Sequence, residues 1–113
     1  MKFIALVSLF AAATLSSSTA LALDADAAKA LAKQNNCLKC HGIDKEKEGP
    51  SLKAIAQKYK GKAGAEDKLA KHITSGEMAK FSDGHEEEHK IVKTTPANDA
   101  GQVKNLVQWI LAQ

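Results

Sequence analysis

The sequence predicts a small all-α domain of about four helices, and three observations lead to that class. The chain has 113 residues, which is enough for one domain only. Apolar residues recur at helical spacing in four segments, which begin near positions 24, 51, 65 and 98. Features of β-strands are confined to residues 80–93, where we expect a small hairpin or an irregular loop.

Residues 1–22 are predicted to be a secretory signal that is removed. Lys2 gives it a positive start, Phe3 to Ala13 form an apolar stretch, and Ala20-Leu21-Ala22 is a small-residue cleavage site. The apolar stretch is too short to cross a bilayer as a stable helix, although an uncleaved anchor is the alternative. We therefore expect a periplasmic domain of residues 23–113 without a transmembrane segment.

Capping residues and helix breakers bound the first two predicted helices. Asp24 or Asp26 caps the first helix, which runs through an alanine-rich segment and ends just before the first cysteine. Residues 42–49 are charged and lack periodicity, so they are predicted to form a surface loop. Gly49-Pro50 then precedes a second helix over residues 51–60.

The third helix is predicted over residues 65–74, and Gly76 ends it. Beyond it, Asp83-Gly84 is a turn signal and Ile91-Val92 suits a short strand, which together favour a hairpin within residues 80–93.

A last helix completes the predicted fold. Asn98 or Asp99 caps it, and its inward positions are Val103, Leu106, Val107, Ile110 and Leu111, with Trp109 beside them. The segment after the signal holds only three aromatic residues, so the expected core is thin for its size. Small domains of this kind are often completed by a disulfide, a metal or a cofactor.

The segment Cys37-Leu38-Lys39-Cys40-His41, directly after the first helix, is the strongest chemical signal. Two thiols three positions apart lie on one side of a helical turn, where they can add to the two vinyl groups of a haem. The adjacent His41 can then ligate the iron. The pattern therefore favours one covalently bound haem c.

Three other readings of the two cysteines are weaker. A thioredoxin-like redox motif needs a βαβ context that the chain lacks. A zinc site would need a second ligand pair, for which His85 and His89 are available. A disulfide between Cys37 and Cys40 would close too small a loop to stabilise the fold much.

The order of three features resembles that of small bacterial class I cytochromes c. They are the cysteine motif, Gly49-Pro50, and a last helix that ends in Val107-Gln108-Trp109-Ile110-Leu111. The resemblance covers residues 24–113 and implies a cytochrome c-like fold, in which short helices wrap around one covalent haem.

The resemblance also implies specific contacts. Pro50 would pack on the proximal side of the haem, and its carbonyl would accept a hydrogen bond from the Nδ1–H of His41, which fixes the ring. The first and last helices would cross, which places Leu31 near Leu106 and Trp109.

The region expected to carry the sixth iron ligand departs from the family pattern. Relatives usually supply a methionine beside proline, whereas Met78 comes earlier and has no neighbouring proline. His89 is the preferred candidate because it precedes an apolar pair, followed by Met78 and then His85. An open position or Lys93 completes the alternatives, and both histidines could instead be solvated residues of an acidic loop. A second imidazole would lower the reduction potential relative to a thioether.

His72 is predicted to be a surface residue of the third helix. It lies beside the charged residue Lys71 on that helix.

The charge pattern excludes a dedicated nucleic-acid binder. Sixteen basic residues, all of them lysine, oppose 13 acidic ones for a net charge of +3. Nucleic-acid-binding domains carry a larger, clustered basic surplus and commonly use arginine forks. No Ser/His/Asp set, phosphate-binding glycine loop or carboxylate pair is evident either, so we expect a protein that is not an enzyme.

The expected function is that of a soluble periplasmic electron carrier. It would move one electron between redox proteins that dock transiently through small interfaces. Four lysines near the motif are candidates for steering an acidic partner, with a merely solvated surface as the alternative: Lys39, Lys45, Lys47 and Lys53. Two other functions stay open, namely a haem protein that binds or senses NO, CO or O₂, and a haem subunit of a larger periplasmic oxidoreductase.

Overall fold

The computed structural model describes residues 22–113, so all but the last residue of the predicted signal lies outside the described residues. Within that range the elements are α1 (Ala25–Gln34), α2 (Cys37–Cys40), α3 (Leu52–Tyr59), α4 (Ala65–Thr74), β1 (Met78–Lys80), β2 (Glu86–Glu88) and α5 (Ala100–Leu111). The all-α class with one small hairpin is confirmed. The additional helix is the cysteine motif itself, which forms a single helical turn.

Side-chain caps decide where three of the helices begin. The side chains of Asp24, Ser51 and Asp99 each accept a hydrogen bond from the backbone N–H three residues further on, at 3.0, 3.1 and 3.0 Å. Each such cap typically contributes about 1 kcal/mol. Asp24 therefore caps α1 in preference to Asp26, and Asp99 caps α5 in preference to Asn98, which has a left-handed backbone with φ 58°.

The core forms where α1 packs against α5. Leu31 and Ala32 of α1 belong to the same buried cluster as Leu106 and Trp109 of α5, and this is the contact that the resemblance implied. Polar groups join the two helices at their margin, because Asp24 and Asn105 exchange two hydrogen bonds of 2.9 and 2.8 Å. The crossing thus sets the frame on which α3 and α4 pack.

The chain that follows the hairpin is tied to two of the helices. The Val92 N–H donates to the carbonyl of Ile73 in α4 at 2.8 Å. The Asn35 side chain accepts from the Lys93 N–H at 2.7 Å and donates to the Lys93 carbonyl at 3.0 Å. These bonds hold residues 89–93 against one side of the helical frame.

The hairpin lies earlier in the chain than the sequence suggested. β1 and β2 pair antiparallel, with Met78 opposite Glu88 and Lys80 opposite Glu86, and the turn contains Asp83-Gly84. The predicted strand at Ile91-Val92 is wrong. Val92 uses its N–H on a helix carbonyl and packs its side chain against the core, so no strand partner is available to it.

Among residues 22–113, no helix combines the length and the apolar character that crossing a membrane requires.

Candidate functional site

A cavity of about 750 Å³ lies between the helices and the segment of residues 78–92, which contains the hairpin. This volume is within the range typical of cofactor pockets. Apolar side chains of α3, α4 and α5 form part of its wall, among them Leu52, Ile55, Leu69, Ile73, Leu106 and Ile110. The cavity is also lined by the residues that the sequence favours for haem attachment and iron ligation, namely Cys37, Cys40, His41 and His89.

The cysteine turn presents two free thiols to this cavity. Cys37 and Cys40 are both half-buried. Burial raises the pKa of each thiol, and the Glu48 carboxylate, 3.5 Å from Cys40 Sγ, raises the pKa of Cys40 further. Both groups therefore remain protonated near neutral pH.

His41 directly follows the turn, and a backbone carbonyl orients its ring. The backbone N–H of His41 donates to the Cys37 carbonyl at 3.0 Å. In the ring, Nδ1 lies 2.7 Å from the Pro50 carbonyl oxygen. A carbonyl can only accept, so Nδ1 carries the proton and Nε2 keeps a free lone pair. Nε2 is thus the atom of His41 that is suited to bind a metal.

Gly49 allows the loop to lie close against the His41 ring. A Cβ atom at position 49 would come within 2.6 Å of His41 Cε1, closer than real Cβ atoms approach. The Gly49 N–H also donates to the Cys40 carbonyl at 2.9 Å, which ties the loop to the turn. The sequence showed Gly49 only as a breaker, and its position immediately before Pro50 was the signal for a closer role.

His89 lies across the cavity from His41. The centres of the two imidazole rings are 6.2 Å apart and their planes are inclined by 38°. Two imidazoles on opposite sides of one metal ion, with metal–nitrogen bonds of about 2.0 Å, would have ring centres roughly 6 Å apart. The spacing of the rings therefore fits one shared metal ion.

The surroundings of His89 keep its ring neutral and oriented. Its Nδ1 donates to the Lys90 carbonyl at 2.9 Å, which leaves Nε2 free, as in His41. The backbone N–H of His89 donates to the backbone carbonyl of Glu77 at 2.8 Å. Burial lowers the pKa of His89, and the neighbouring His72 and His41 lower it further.

His72 is not the surface residue that the sequence suggested. It is half-buried and lines the cavity, its ring centre is 4.4 Å from that of His89, and its Nδ1 lies 3.2 Å from a Glu77 carboxylate oxygen. The prediction failed because the segment that carries His89 returns over the end of α4. The spacing of Leu69, His72 and Ile73 was the missed signal, since it places His72 beside the buried stripe of the helix.

The other candidate ligands lie in less favourable places. Met78 is 61% exposed in β1, although it contributes to the cavity wall. His85 is at the hairpin turn, where it stacks on Phe81 and bonds to Asp83, and it is not part of the cavity wall. Lys93 is exposed and its backbone is bound by Asn35.

The structure does not support the zinc alternative. Within residues 22–113, no cluster of three or more His, Cys, Asp or Glu side chains could hold a metal ion. His85 and His89, the pair that a zinc site would require, lie in different surroundings, one at the turn and one in the cavity.

Two of the four lysines near the motif have local partners. Lys53 forms an ion pair with Asp44, and Lys47 Nζ donates to the Leu38 carbonyl at 2.7 Å. Lys39 and Lys45 are exposed. The charge of Lys53 is therefore offset by Asp44, whereas Lys47 keeps its positive charge because a carbonyl is neutral.

The residues present fit a covalently attached haem. Two thiols on one helical turn, an imidazole with a free Nε2 beside them, and a largely apolar cavity satisfy what attachment, ligation and burial of a porphyrin require.

Comparisons with known proteins agree with this fit. The family model "Cytochrome c" matches residues 25–113. Cytochrome c-551 of Pseudomonas aeruginosa is 34% identical over 113 residues, which cover 100% of this chain and 99% of that protein. Cytochrome c-552 of Hydrogenobacter thermophilus is 37% identical over 84 residues, which cover 73% of this chain and 76% of the relative.

Solved structures include similar folds. Class 1 cytochrome MtoD from Sideroxydans lithotrophicus ES-1 has a TM-score of 0.75 and 63% identity, over 80% of this chain and 97% of that one. Wild-type cytochrome c552 of Nitrosomonas europaea has a TM-score of 0.59 and 32% identity, over 74% and 96% of the two chains.

Proposed function

The chain belongs to the cytochrome c family, and from this premise we propose that residues 23–113 form a periplasmic carrier of single electrons. The cytochrome c-like fold that the resemblance implied is confirmed. The cofactor is one covalently attached haem c, which would supply an iron able to accept and release one electron. Export, cleavage after Ala22 and the periplasmic location belong to the proposal.

Three residues of the motif hold the cofactor in this proposal. Cys37 and Cys40 form the thioether links, and His41 binds the iron through Nε2. The Pro50 carbonyl supports this role because it fixes the Nδ1–H tautomer of His41 at 2.7 Å, while Pro50 itself borders the cavity. Such a hydrogen bond orients a histidine ligand and makes it a stronger donor.

We assign the sixth ligand to His89, and the 6.2 Å between the His41 and His89 ring centres is the observation that carries this assignment. Both imidazoles donate Nδ1–H to a backbone carbonyl and keep Nε2 free. Met78 is the alternative ligand, and its exposure argues against it. We expect a lower reduction potential than in a relative with histidine and methionine ligands, because imidazole favours the ferric state.

The partners in this proposal are other redox proteins that dock transiently. Lys39, Lys45 and Lys47 are exposed and carry positive charge toward an acidic surface, whereas the charge of Lys53 is offset by Asp44. Steering by two or more lysines would make the electron-transfer rate fall as ionic strength rises. A haem subunit of a larger oxidoreductase would use the same site with a permanent partner.

Binding of NO, CO or O₂ is less favoured than electron transfer. A gas-binding protein needs an open or easily vacated iron position, whereas His89 lies opposite His41 in the cavity. The proposal assigns no enzymatic activity to the chain.

Optical and paramagnetic-resonance spectra of the holoprotein test the ligand assignment. We expect wild type to lack the weak ferric band that thioether ligation produces in the red, and Met78→Ala to retain the wild-type spectrum. His89→Ala should lose that spectrum and bind CO rapidly once reduced, whereas wild type should react slowly.

His85→Ala is the matched control, since His85 lies outside the cavity wall. A thioether band in wild type that disappears in Met78→Ala would overturn the assignment of His89. A colourless protein of unshifted mass, produced in a host that attaches haem, would overturn the proposed function altogether.

A further inference from the structure

The two imidazoles in the cavity are restrained in different ways. The backbone of Gly49 lies against the His41 ring and the Pro50 carbonyl binds its Nδ1. The Nδ1 of His89 binds the carbonyl of its own neighbour, Lys90. A bond to the adjacent residue moves with the local chain, so it does not by itself fix the ring relative to the helical frame.

A second imidazole provides the missing restraint on His89. The His72 ring centre is 4.4 Å from that of His89, with an inclination of 48° between the planes. This distance is just below the range of about 4.5–7 Å that is typical of aromatic pairs, so the two rings are in close contact. His72 lies between the buried residues Leu69 and Ile73 on α4, so a packed helix holds it in place.

Glu77 connects the two histidines. Its carboxylate accepts a hydrogen bond from His72 Nδ1 at 3.2 Å, and its backbone carbonyl accepts the His89 N–H at 2.8 Å. Lys71 Nζ lies 3.5 Å from the other carboxylate oxygen. Gly76, with φ 68°, reverses the chain after α4 and brings Glu77 back to this position.

We propose that His72, held by Glu77, is a positioning residue that sets the orientation of the His89 imidazole in the cavity. The inference rests on the proposed function, because it assumes that His89 is an iron ligand. The orientation of an axial imidazole affects the electronic state of ferric haem and the ease with which the ligand is replaced. His72 would thus act on the iron through His89 without binding the iron itself.

Two substitutions of His72 in the holoprotein separate the effect of its aromatic ring from that of its nitrogen atoms. His72→Ala removes the ring, whereas His72→Phe keeps an aromatic ring on α4. We expect His72→Ala to shift and broaden the principal g values and to speed the displacement of the sixth ligand by cyanide roughly three- to tenfold. His72→Phe keeps a ring but cannot bond to Glu77, so its spectrum and exchange rate should lie between those of His72→Ala and wild type.

Glu77 variants test the support of His72. Glu77→Gln keeps an oxygen that can accept from His72 Nδ1, so its spectrum should stay near wild type. Glu77→Ala should change the spectrum in the direction of His72→Ala, and it serves the same test if His72→Ala does not fold. His85→Ala controls for the loss of a histidine outside the cavity wall.

The outcomes separate the two proposals. A thioether spectrum in wild type would refute ligation by His89 and the inference with it. A wild-type spectrum of two imidazoles that is unchanged in His72→Ala would refute the positioning role alone. Equal changes in His72→Ala and His72→Phe would also refute it, because the aromatic ring would then have no part in the effect.

Discussion

The two sides of the cavity use the same local chemistry and different long-range supports. On each side an imidazole donates Nδ1–H to a backbone carbonyl, at 2.7 Å for His41 and 2.9 Å for His89. The supports of His41 all come from one continuous segment, residues 37–50. Those of His89 come from α4, Glu77 and the Asn35–Lys93 contact, which are far apart in the sequence.

This difference predicts unequal rigidity. An imidazole held by its own loop keeps its geometry as long as that loop is intact, whereas the segment around His89 depends on several separate contacts. Segments with few buried apolar contacts and exposed hydrogen bonds open more readily. We therefore expect the His89 side to open at a lower free energy than the His41 side.

Removal of the cofactor should have the largest effect, because both sides of the cavity lose the group between them. We expect Cys37→Ala/Cys40→Ala, matured in parallel with wild type, to lack covalent haem and to lose about 5 kcal/mol of unfolding free energy. Denaturant unfolding and intact mass measure this. A double variant as stable as wild type would mean that the cavity does not depend on its occupant.

Gly49→Ala should damage the His41 side selectively. The new Cβ would lie 2.6 Å from His41 Cε1, so the loop or the ring must move. We expect a loss of about 1–3 kcal/mol from overpacking, together with altered ferric spectra. Gly101→Ala adds the same methyl group to α5, where the nearest atom is a side-chain oxygen at 3.2 Å, and should cost little.

Asn35→Ala should loosen the His89 side without touching His41. The variant loses both hydrogen bonds to Lys93 and a bond from the same side-chain amide to the Leu31 carbonyl, with an expected cost of about 1–2 kcal/mol. Amide exchange should accelerate at Val92 and Lys93 and stay unchanged around His41. Substitution of the exposed neighbour, Gln34→Ala, is the control. Equally faster amide exchange on both sides would contradict the expectation that the His89 side opens at a lower free energy than the His41 side.

The smallest effect is expected at the hairpin turn, where His85 bonds to Asp83 and lies 3.4 Å from a Glu87 oxygen. The hydrogen bond with Asp83 raises the pKa of His85, so its stabilising contribution is complete below about pH 6.5 and is lost as pH rises through the raised pKa. Hydrogen bonds from His85 lower the pKa of Asp83, which preserves that carboxylate's contribution until acidic pH.

We therefore expect amide protection factors at the turn to fall as pH rises above about 6.5 in wild type. His85→Asn should show no such fall. A wild-type turn whose protection is constant over this range would exclude a role for the charged His85–Asp83 pair.

Much of the helical fold could be predicted because its signals are local. A capping aspartate, a glycine after the last turn and apolar residues three and four positions apart act within one helix, so neighbouring residues suffice to locate it. The strand predicted at Ile91-Val92 failed for the opposite reason. A β-branched pair can pack against a core as well as join a sheet, and the carbonyl of Ile73 decides which it does.

The sequence by itself determined the haem motif, the helices and the candidate ligand His41, because those features depend on residues close together in the chain. Only the tertiary structure decided which of Met78, His85 and His89 lies opposite His41. It also decided that His72 lies beside His89. The physical reason is that this side of the cavity is assembled from α4, the hairpin and the following segment. Their relative positions follow from packing on α5 and from hydrogen bonds between distant residues, which no local pattern encodes.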